Sequence, residues 1–293
     1  MVRIARQRVL SARLARHSHL GWRPGRVVLA ALPVILLFVS AQAFSAEIDA
    51  APENPKKLLQ KAFTNQYDVD TTATIELVIR NRSGQERRRI FEAASKIIEE
   101  RMHAIGRLTY PEHLRGMTIL QIEALDRSHD AFIYLPSSQN VRRVSTAQRG
   151  DSFFGTDVTY EDLERRYAKD YEIVDLSTGR IGGEPTHVVR ARPHLQHSYH
   201  EVVFWLAQSD QVILQAHYFK RGAQEPYRTI VAPRSSMQKT NDHTLPTRLI
   251  VENLARGTTT EVTYRQLAIN PEIDDRVFSV RTLEQKGPIP ASR

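Results

Sequence analysis

The feature that most constrains the fold of this chain is a long succession of short, strand-like runs separated by turns. The first run alternates Ile75, Leu77 and Ile79 with mostly polar neighbours, and a period of two is typical of a half-buried strand. Turn residues such as Gly182-Gly183 divide the runs. Because parallel strands need long crossover connections, the short connections predict an antiparallel meander. The later runs are QERRRIFEAASK, ERMHAIGRLTY, MTILQIEAL, DAFIYLP, VRRVS, YEIVDLS, PTHVVRAR, YHEVVFWLA, QVILQAHYF, YRTIVAP, TRLIVENL and TTEVTYRQL.

Helical patterns are confined to three places. Asn54 as N-cap and Pro55 at the first helical position predict a helix near the start. A second helical pattern covers residues 160–171, and a weaker one covers residues 271–278. So many strands with so few helices predict a mainly β, α+β fold. Its single curved antiparallel sheet, of about eleven strands, forms an incomplete barrel whose open or concave side is covered by two or three helices. The first helix has an apolar stripe of Leu58, Leu59, Ala62 and Phe63.

The N-terminus has the pattern of a secretory signal. Residues 1–26 contain seven Arg and no acidic residue, and the apolar run VVLAALPVILLFV and then SAQAFSA follow. We predict a signal peptide over residues 1–43, a single domain over residues 44–293 and a periplasmic location. Cleavage after Ala46 and retention of the segment as a membrane anchor are alternatives that the sequence leaves open.

Charge and cysteine content exclude several classes of protein. The chain has 41 Lys and Arg against 33 Asp and Glu, but without the seven Arg of the signal 34 basic residues face 33 acidic ones. A mature protein so close to neutral has little electrostatic support for nucleic-acid binding. The chain has no Cys, which excludes disulfides, zinc–thiolate sites and a lipid-modified N-terminal Cys.

No common catalytic motif is present, and we predict neither an enzyme nor a cofactor. The sequence has no G-x-S-x-G elbow, P-loop, G-x-G-x-x-G or H-E-x-x-H. His194, His197 and His200 recur at three-residue spacing, which on a helix would place them on one face as metal ligands. The segment leads into a strand, however, where His197 and His200 point to opposite faces. This pattern favours a solvated junction over a metal site, and a metal-dependent enzyme is kept as an alternative.

The stretch RGDSFFGTDVTYEDL combines acids, aromatics and a glycine. Thr159 can cap a helix with Asp162 at its third position, and the acids Glu161 and Asp162 then complement the helix dipole. This placement favours a structural role over an acid/base pair. Gly155 allows a bend after Phe153, so that its ring can turn into an apolar interior.

A small basic cluster lies just before and at the start of this stretch. Arg142, Arg143 and Arg149 could contact lipid phosphates or an acidic partner through bidentate hydrogen bonds. Alternatively, their charge protects a strand edge from aggregation.

The segment from Leu108 to Leu163 resembles a bacterial family of outer-membrane lipoprotein-sorting proteins, which is similar to the periplasmic lipoprotein carriers of the LolA/LolB type. Departures from the family pattern, such as Thr156 for Ser and Val158 for Phe, are conservative. The resemblance implies a half-barrel around an apolar cavity that shields acyl chains, with no catalytic residue. It also implies an inner-membrane RND-type exporter as partner. The matching elements are Pro111, Arg115-Gly116, Phe132 to Pro136, Arg142-Arg143-Val144 and Ser152 to Leu163.

The leading hypothesis is a monomeric, non-enzymatic periplasmic carrier of lipid or lipoprotein acyl chains, acting in lipid transport and outer-membrane biogenesis. The alternative is a structural or assembly protein of the cell envelope that binds a protein partner without lipid. The predicted cavity lining is Ile75, Leu77, Ile79, Phe132, Tyr134, Phe204 and Trp205. The predicted mouth, partner-contact or family-motif residues are Arg142, Arg143, Arg149, Phe153, Gly155, Asp157, Tyr160 and Asp162.

Overall fold

Thirteen strands of the described chain hydrogen-bond into one antiparallel sheet. The computed structural model describes residues 54–126, 128–240, 242–285, 287 and 289; the predicted signal lies outside them. No helix in these ranges is long and apolar enough to cross a membrane. The two α-helices of the described residues are α1 (Pro55–Tyr67) and α2 (Val280–Leu283). The strands are β1 (Thr71–Arg80), β2 (Glu86–Ile98), β3 (Arg101–Tyr110), β4 (Thr118–Glu123), β5 (His129–Leu135), β6 (Asn140–Val144), β7 (Tyr171–Ile181), β8 (Glu184–Pro193), β9 (Glu201–Ala207), β10 (Ile213–Phe219), β11 (Arg228–Val231), β12 (Met237–Lys239), β13 (Thr244–Pro246), β14 (Arg248–Asn253) and β15 (Thr258–Ile269).

The sheet is an open meander whose first and last strands meet at its centre. The order is β6-β5-β4-β3-β2-β1-β15-β14-β11-β10-β9-β8-β7, and β12 and β13 form a separate hairpin between β11 and β14. The edge strands β6 and β7 are consecutive in the chain but do not pair with each other. This confirms the predicted incomplete antiparallel barrel, with thirteen strands in its sheet where about eleven were expected.

The period-two pattern of the sequence separates the two faces of the sheet. Ile75 lies opposite Phe91, and Leu77 lies opposite Val262, and directly opposed residues share a face. We call this face the inner face. On the outer face, Glu76 accepts a hydrogen bond from Arg265 at 2.7 Å.

Helix α1 covers the inner face of the second half of the sheet. Asn54 caps it by accepting from the backbone N–H of Lys56 at 3.0 Å, and Pro55 takes the first helical position, as predicted. The ring centroid of Phe63 lies 5.6 Å from that of Phe204 on β9. The apolar stripe of the helix is buried in this contact, and burial of such a stripe supplies most of the stability of a short helix.

The C-terminal segment covers the outer face of β2 to β5. The Arg107 guanidinium donates to the backbone carbonyl of Thr282 at 2.8 Å. Leu283 packs there with Ile105 and Leu120. The weak helical pattern of residues 271–278 forms only the 3₁₀ turn Asp275–Val277.

The connector, which we define as residues 145–170, joins the two open edges of the sheet. The helix predicted over residues 160–171 is wrong: this part forms two 3₁₀ turns, Tyr160–Leu163 and Ala168–Asp170. Contacts with distant segments, and not the local sequence, determine the conformation here. Arg165 donates to Asp68 at 2.7 Å, a residue from a distant part of the chain.

Candidate functional site

An apolar cavity of about 290 Å³ lies between the inner face, the end of α1 and the connector. The volume is at the lower end of the range of about 300–1,000 Å³ that is usual for small-molecule sites. The hairpin β12–β13 borders the cavity through Leu245 and Pro246. Both halves of the sheet contribute apolar side chains, among them Ile75, Leu77, Phe91, Phe204, Ile230 and Val262.

Three of the seven predicted lining residues border this cavity. Ile75, Leu77 and Phe204 are lining residues. Ile79 is buried but lies outside the lining. Trp205 directly follows Phe204 on a strand, so its side chain takes the opposite face, where its ring lies 4.6 Å from that of His217.

The placement of Phe132 and Tyr134 corrects the prediction for β5. Phe132 lies opposite Leu120, and both belong to the outer-face core under the C-terminal segment, as does Tyr134. Ile133, one position away, takes the inner face. Both faces of β5 are covered, so apolar residues occur at odd and at even positions of the strand. The alternation therefore does not show which residues face inward, and a slip of one residue exchanges the faces.

The connector places the aromatic ring of Phe153 against one side of the cavity. Phe153 is buried and stacks on Phe91 of β2 with ring centroids 5.2 Å apart. Tyr160 meets Phe153 edge-on at 5.7 Å. Gly155 has φ +76°, a left-handed conformation that costs a residue with a Cβ roughly 1 kcal/mol or more. This bend directs the ring of Phe153 inward.

Asp157 fixes the connector to the centre of the sheet. Its carboxylate is buried and accepts from the hydroxyls of Thr258 and Thr260, the latter at 2.8 Å. Its backbone N–H donates to the Thr260 hydroxyl at 2.9 Å. Hydrogen bonds to a buried carboxylate are among the stronger ones in proteins, so this contact anchors the connector on β15.

Asp162 is the hub of a buried charge cluster. It completes the predicted capping box with Thr159, whose N–H donates to it at 2.8 Å. The Arg228 guanidinium of β11 donates to both carboxylate oxygens, with Nη2 at 2.8 Å from Oδ1. Burial alone would raise the pKa of Asp162, but the attraction of Arg228 outweighs it and lowers the pKa from 3.8 to about 2.

A second arginine shares this carboxylate at the cavity wall. Arg166 donates to Asp162 at 3.3 Å and to the hydroxyl of Tyr218 at 3.2 Å. Asp162 and Arg166 both border the cavity. Neither Arg166 nor Arg228 is among the site residues predicted from the sequence. The available signal was the charge of Arg228 inside the otherwise apolar run YRTIVAP.

The predicted mouth arginines lie apart from the cavity. Arg149 points into the connector, where its guanidinium forms a bidentate salt bridge with Glu164, with Nε 2.7 Å from Oε1. Arg142 and Arg143 lie on the edge strand β6 and are exposed, and Arg143 pairs with Asp130. The structure thus separates Arg149 from the exposed pair.

The three predicted histidines do not converge on a metal site. His197 Nδ1 lies 3.1 Å from Glu161 Oε2, whereas His194 is exposed and the backbone N–H of His200 donates to Phe219. Within the described ranges, no group of three or more His, Cys, Asp or Glu is arranged to hold a metal ion.

Comparison with known proteins places the fold. A domain assigned to outer-membrane lipoprotein sorting, from Vibrio parahaemolyticus, superposes with a TM-score of 0.72 at 19% identity and covers 79% of this chain and 100% of its own. A DUF1329 family protein from Desulfovibrio piger superposes with a TM-score of 0.70 at 20% identity and covers 78% of this chain and 97% of its own. A LolA superfamily protein from Nitrosomonas europaea superposes with a TM-score of 0.62 at 20% identity and covers 78% of this chain and 98% of its own.

Sequence comparison adds the family. No curated protein matches the chain. One family model, described as an uncharacterized protein family, matches residues 101–285, well over half of the chain. The chain therefore belongs to this uncharacterized protein family and has the fold of the outer-membrane lipoprotein-sorting proteins and the LolA superfamily.

Proposed function

We propose that this protein is a non-enzymatic carrier that binds a lipid or lipoprotein acyl chain in the cavity under the connector. The observation that carries the proposal is the apolar cavity on the inner face of a carrier-type half-barrel. Apolar side chains make up most of its wall, and burial of apolar surface is the main favourable term for such a ligand.

The size of the cavity indicates how much of a chain it holds. A cavity of about 290 Å³ is at the lower end of the range for small-molecule sites and has room for part of one acyl chain. Each buried methylene contributes about 0.8 kcal/mol, from which the loss of ligand freedom is subtracted. Part of one acyl chain would therefore be bound reversibly, as transfer from donor to acceptor requires.

The hairpin β12–β13 is the element best placed to admit the ligand. It lies outside the main sheet, and Leu245 and Pro246 border the cavity. Arg234 at its base pairs with Asp210 at 2.9 Å. Because the hairpin is not part of the main sheet and its partly exposed ion pair is weak, it can move without breaking that sheet.

The cellular setting belongs to the same proposal. The predicted signal places the carrier in the periplasm, and the resemblance of residues 108–163 to the sorting family suggests an inner-membrane RND-type exporter as its partner. We expect the carrier to act as a monomer in lipid transport to the outer membrane.

A matched pair of variants tests chain binding. Ala104 borders the cavity, and Ala223 is exposed in the turn after β10. We expect the purified wild type to bind a fluorescent fatty acid, Ala104→Phe to bind it at least about tenfold more weakly because the ring fills the cavity, and Ala223→Phe to match the wild type. Native mass spectrometry of the protein purified from its own periplasm should detect bound lipid. Lipid-free protein that takes up no fatty acid would contradict the proposal and favour an assembly protein.

A further inference from the structure

We propose that the cavity selects a single-chain amphiphile with an anionic head, a carboxylate or a phosphate, and that this head binds inside the cavity at Arg166. The inference rests on the proposed function and adds the class of ligand and its orientation. It follows from the balance of buried charge, the free bonding capacity of Arg166 and the position of that side chain in the wall.

In the buried cluster two guanidinium groups contact a single carboxylate. Arg166 and Arg228 are both buried and share one carboxylate, Asp162. The nearby acids are already bound. Glu161 accepts from Ser198 and lies against His197, and Glu164 is held by the guanidinium of Arg149 described above.

The tyrosines around Arg166 add no negative charge. Burial raises the pKa of Tyr67 and Tyr199, so both phenols are neutral at physiological pH. The hydroxyl of Tyr218 accepts one hydrogen bond from Arg166. Burying a cation without a full counter-charge is costly, by several kcal/mol, and an anion in the adjoining cavity would remove that cost.

The two arginines bind Asp162 differently, and of the two only Arg166 borders the cavity. Arg228 donates hydrogen bonds to both carboxylate oxygens of Asp162 and to the backbone carbonyl of Asp157, the latter at 3.2 Å. Arg166 reaches Asp162 through one long hydrogen bond of 3.3 Å. Since a guanidinium has five N–H donors in a planar fork that matches carboxylate and phosphate oxygens, Arg166 retains donors for a ligand.

The position of Arg166 sets the orientation of the bound ligand. Arg166 and Asp162 form a polar wall of the cavity, whereas the walls from β1, β2 and β15 are apolar at Ile75, Phe91 and Val262. A ligand with its anionic head at Arg166 therefore directs its chain along the inner face. The limited volume favours one chain over two.

Competition with a series of ligands of equal chain length tests the inference. Protein expressed from the full-length sequence, purified and freed of lipid, is loaded with a fluorescent fatty acid, and dodecanoate, dodecyl phosphate and dodecanol compete for it. We expect one or both anions to bind about tenfold to a hundredfold more tightly than the alcohol, because a charge-assisted hydrogen bond to a buried group has about that effect. Whether dodecanoate or dodecyl phosphate is preferred distinguishes a fatty acid from a phosphorylated lipid.

Variants at Arg166 test whether this side chain causes the preference for anions over the alcohol. Arg166→Met should reduce the ratio between anion and alcohol affinities to within about twofold while leaving dodecanol binding in place, and Arg166→Lys should keep most of the ratio. Arg142→Met, on the exposed edge strand, is the control and should not change it. Equal binding of anion and alcohol by the wild type, or an unchanged ratio in Arg166→Met, would overturn the inference. If no ligand of the series binds, the proposed function itself fails. The wild-type series decides the matter even if Arg166→Met does not fold.

Discussion

Removing the carboxylate of Asp162 should be one of the most damaging single changes in this protein. Arg228 is 1% exposed and the Asp162 side chain 8%. Asp162→Asn keeps the shape and a capping oxygen but leaves two buried guanidinium groups without a counter-charge. Breaking a buried pair in this way costs about 3–5 kcal/mol.

The pKa of Asp162 gives an independent scale for the same effect. The fall from 3.8 to about 2 corresponds to roughly 2 kcal/mol, at about 1.4 kcal/mol for each pH unit. Because the folded state lowers the pKa of this carboxyl, the contribution is fully present above pH ~4 and is lost as the pH falls from about 4 to about 2. Wild type should therefore lose this stability over that window, and Asp162→Asn should lack that component of its acid dependence.

A double-mutant cycle separates the ion pair from general damage. Arg228→Met removes one cation but leaves Asp162 paired with Arg166, so we expect a smaller loss of about 2–3 kcal/mol. The double variant restores the net buried charge of the wild type, and its loss should be at least about 2 kcal/mol smaller than the sum of the single losses.

Urea unfolding at pH 7, followed by Trp fluorescence and circular dichroism, measures all four proteins of the cycle. Coincident transitions by the two probes establish that a free energy of unfolding is defined. Single losses that add to within about 0.5 kcal/mol in the double variant would refute the assignment of Asp162 and Arg228 as a coupled buried pair.

Three further variants test other parts of the site. Asp157→Ala should lower the free energy of unfolding in urea by about 2–4 kcal/mol, because it leaves buried threonine hydroxyls without their acceptor, whereas the exposed Asp126→Ala should cost under about 1 kcal/mol; equal losses would contradict the anchoring role. Gly155→Ala should lower stability by about 1–2 kcal/mol through its positive φ alone, since no heavy atom lies within 4 Å of the added Cβ, and an unchanged melting temperature would show that the bend relaxes. Trp205→Ala should leave fatty-acid affinity within about twofold while Phe204→Ala weakens it severalfold, and the reverse order in a binding titration would overturn the assignment of the two faces.

The meander could be predicted because its signals are local. Each run alternates polar and apolar residues over a few positions, and a turn follows it, so neither feature depends on distant parts of the chain. The cap formed by Asn54 and Pro55 is equally local. Likewise, the capping box of Thr159 and Asp162 spans four residues and formed as expected.

The faces of β5 and the partners of the connector could not be predicted, because both depend on distant segments. Phe132 packs in a core on the outer face because the C-terminal segment returns to cover that face. Arg166 follows Asp162 by four residues, which locally predicts an exposed helical pair. The pair is buried because Arg228 of β11, 66 residues from Asp162 in sequence, and Tyr218 of β10, 52 residues from Arg166, pack against it.

The connector also explains why stability and ligand chemistry are joined in this fold. It links the two unpaired edges of the sheet, and its side chains Phe153, Val158, Asp162, Leu163 and Arg166 border the cavity. Substitution of most of these residues would weaken the half-barrel and reshape the cavity together. Arg166 is different, because its removal leaves both oxygens of Asp162 bound by Arg228. At this position the polarity of the cavity can be changed while the buried pair that secures the connector stays intact.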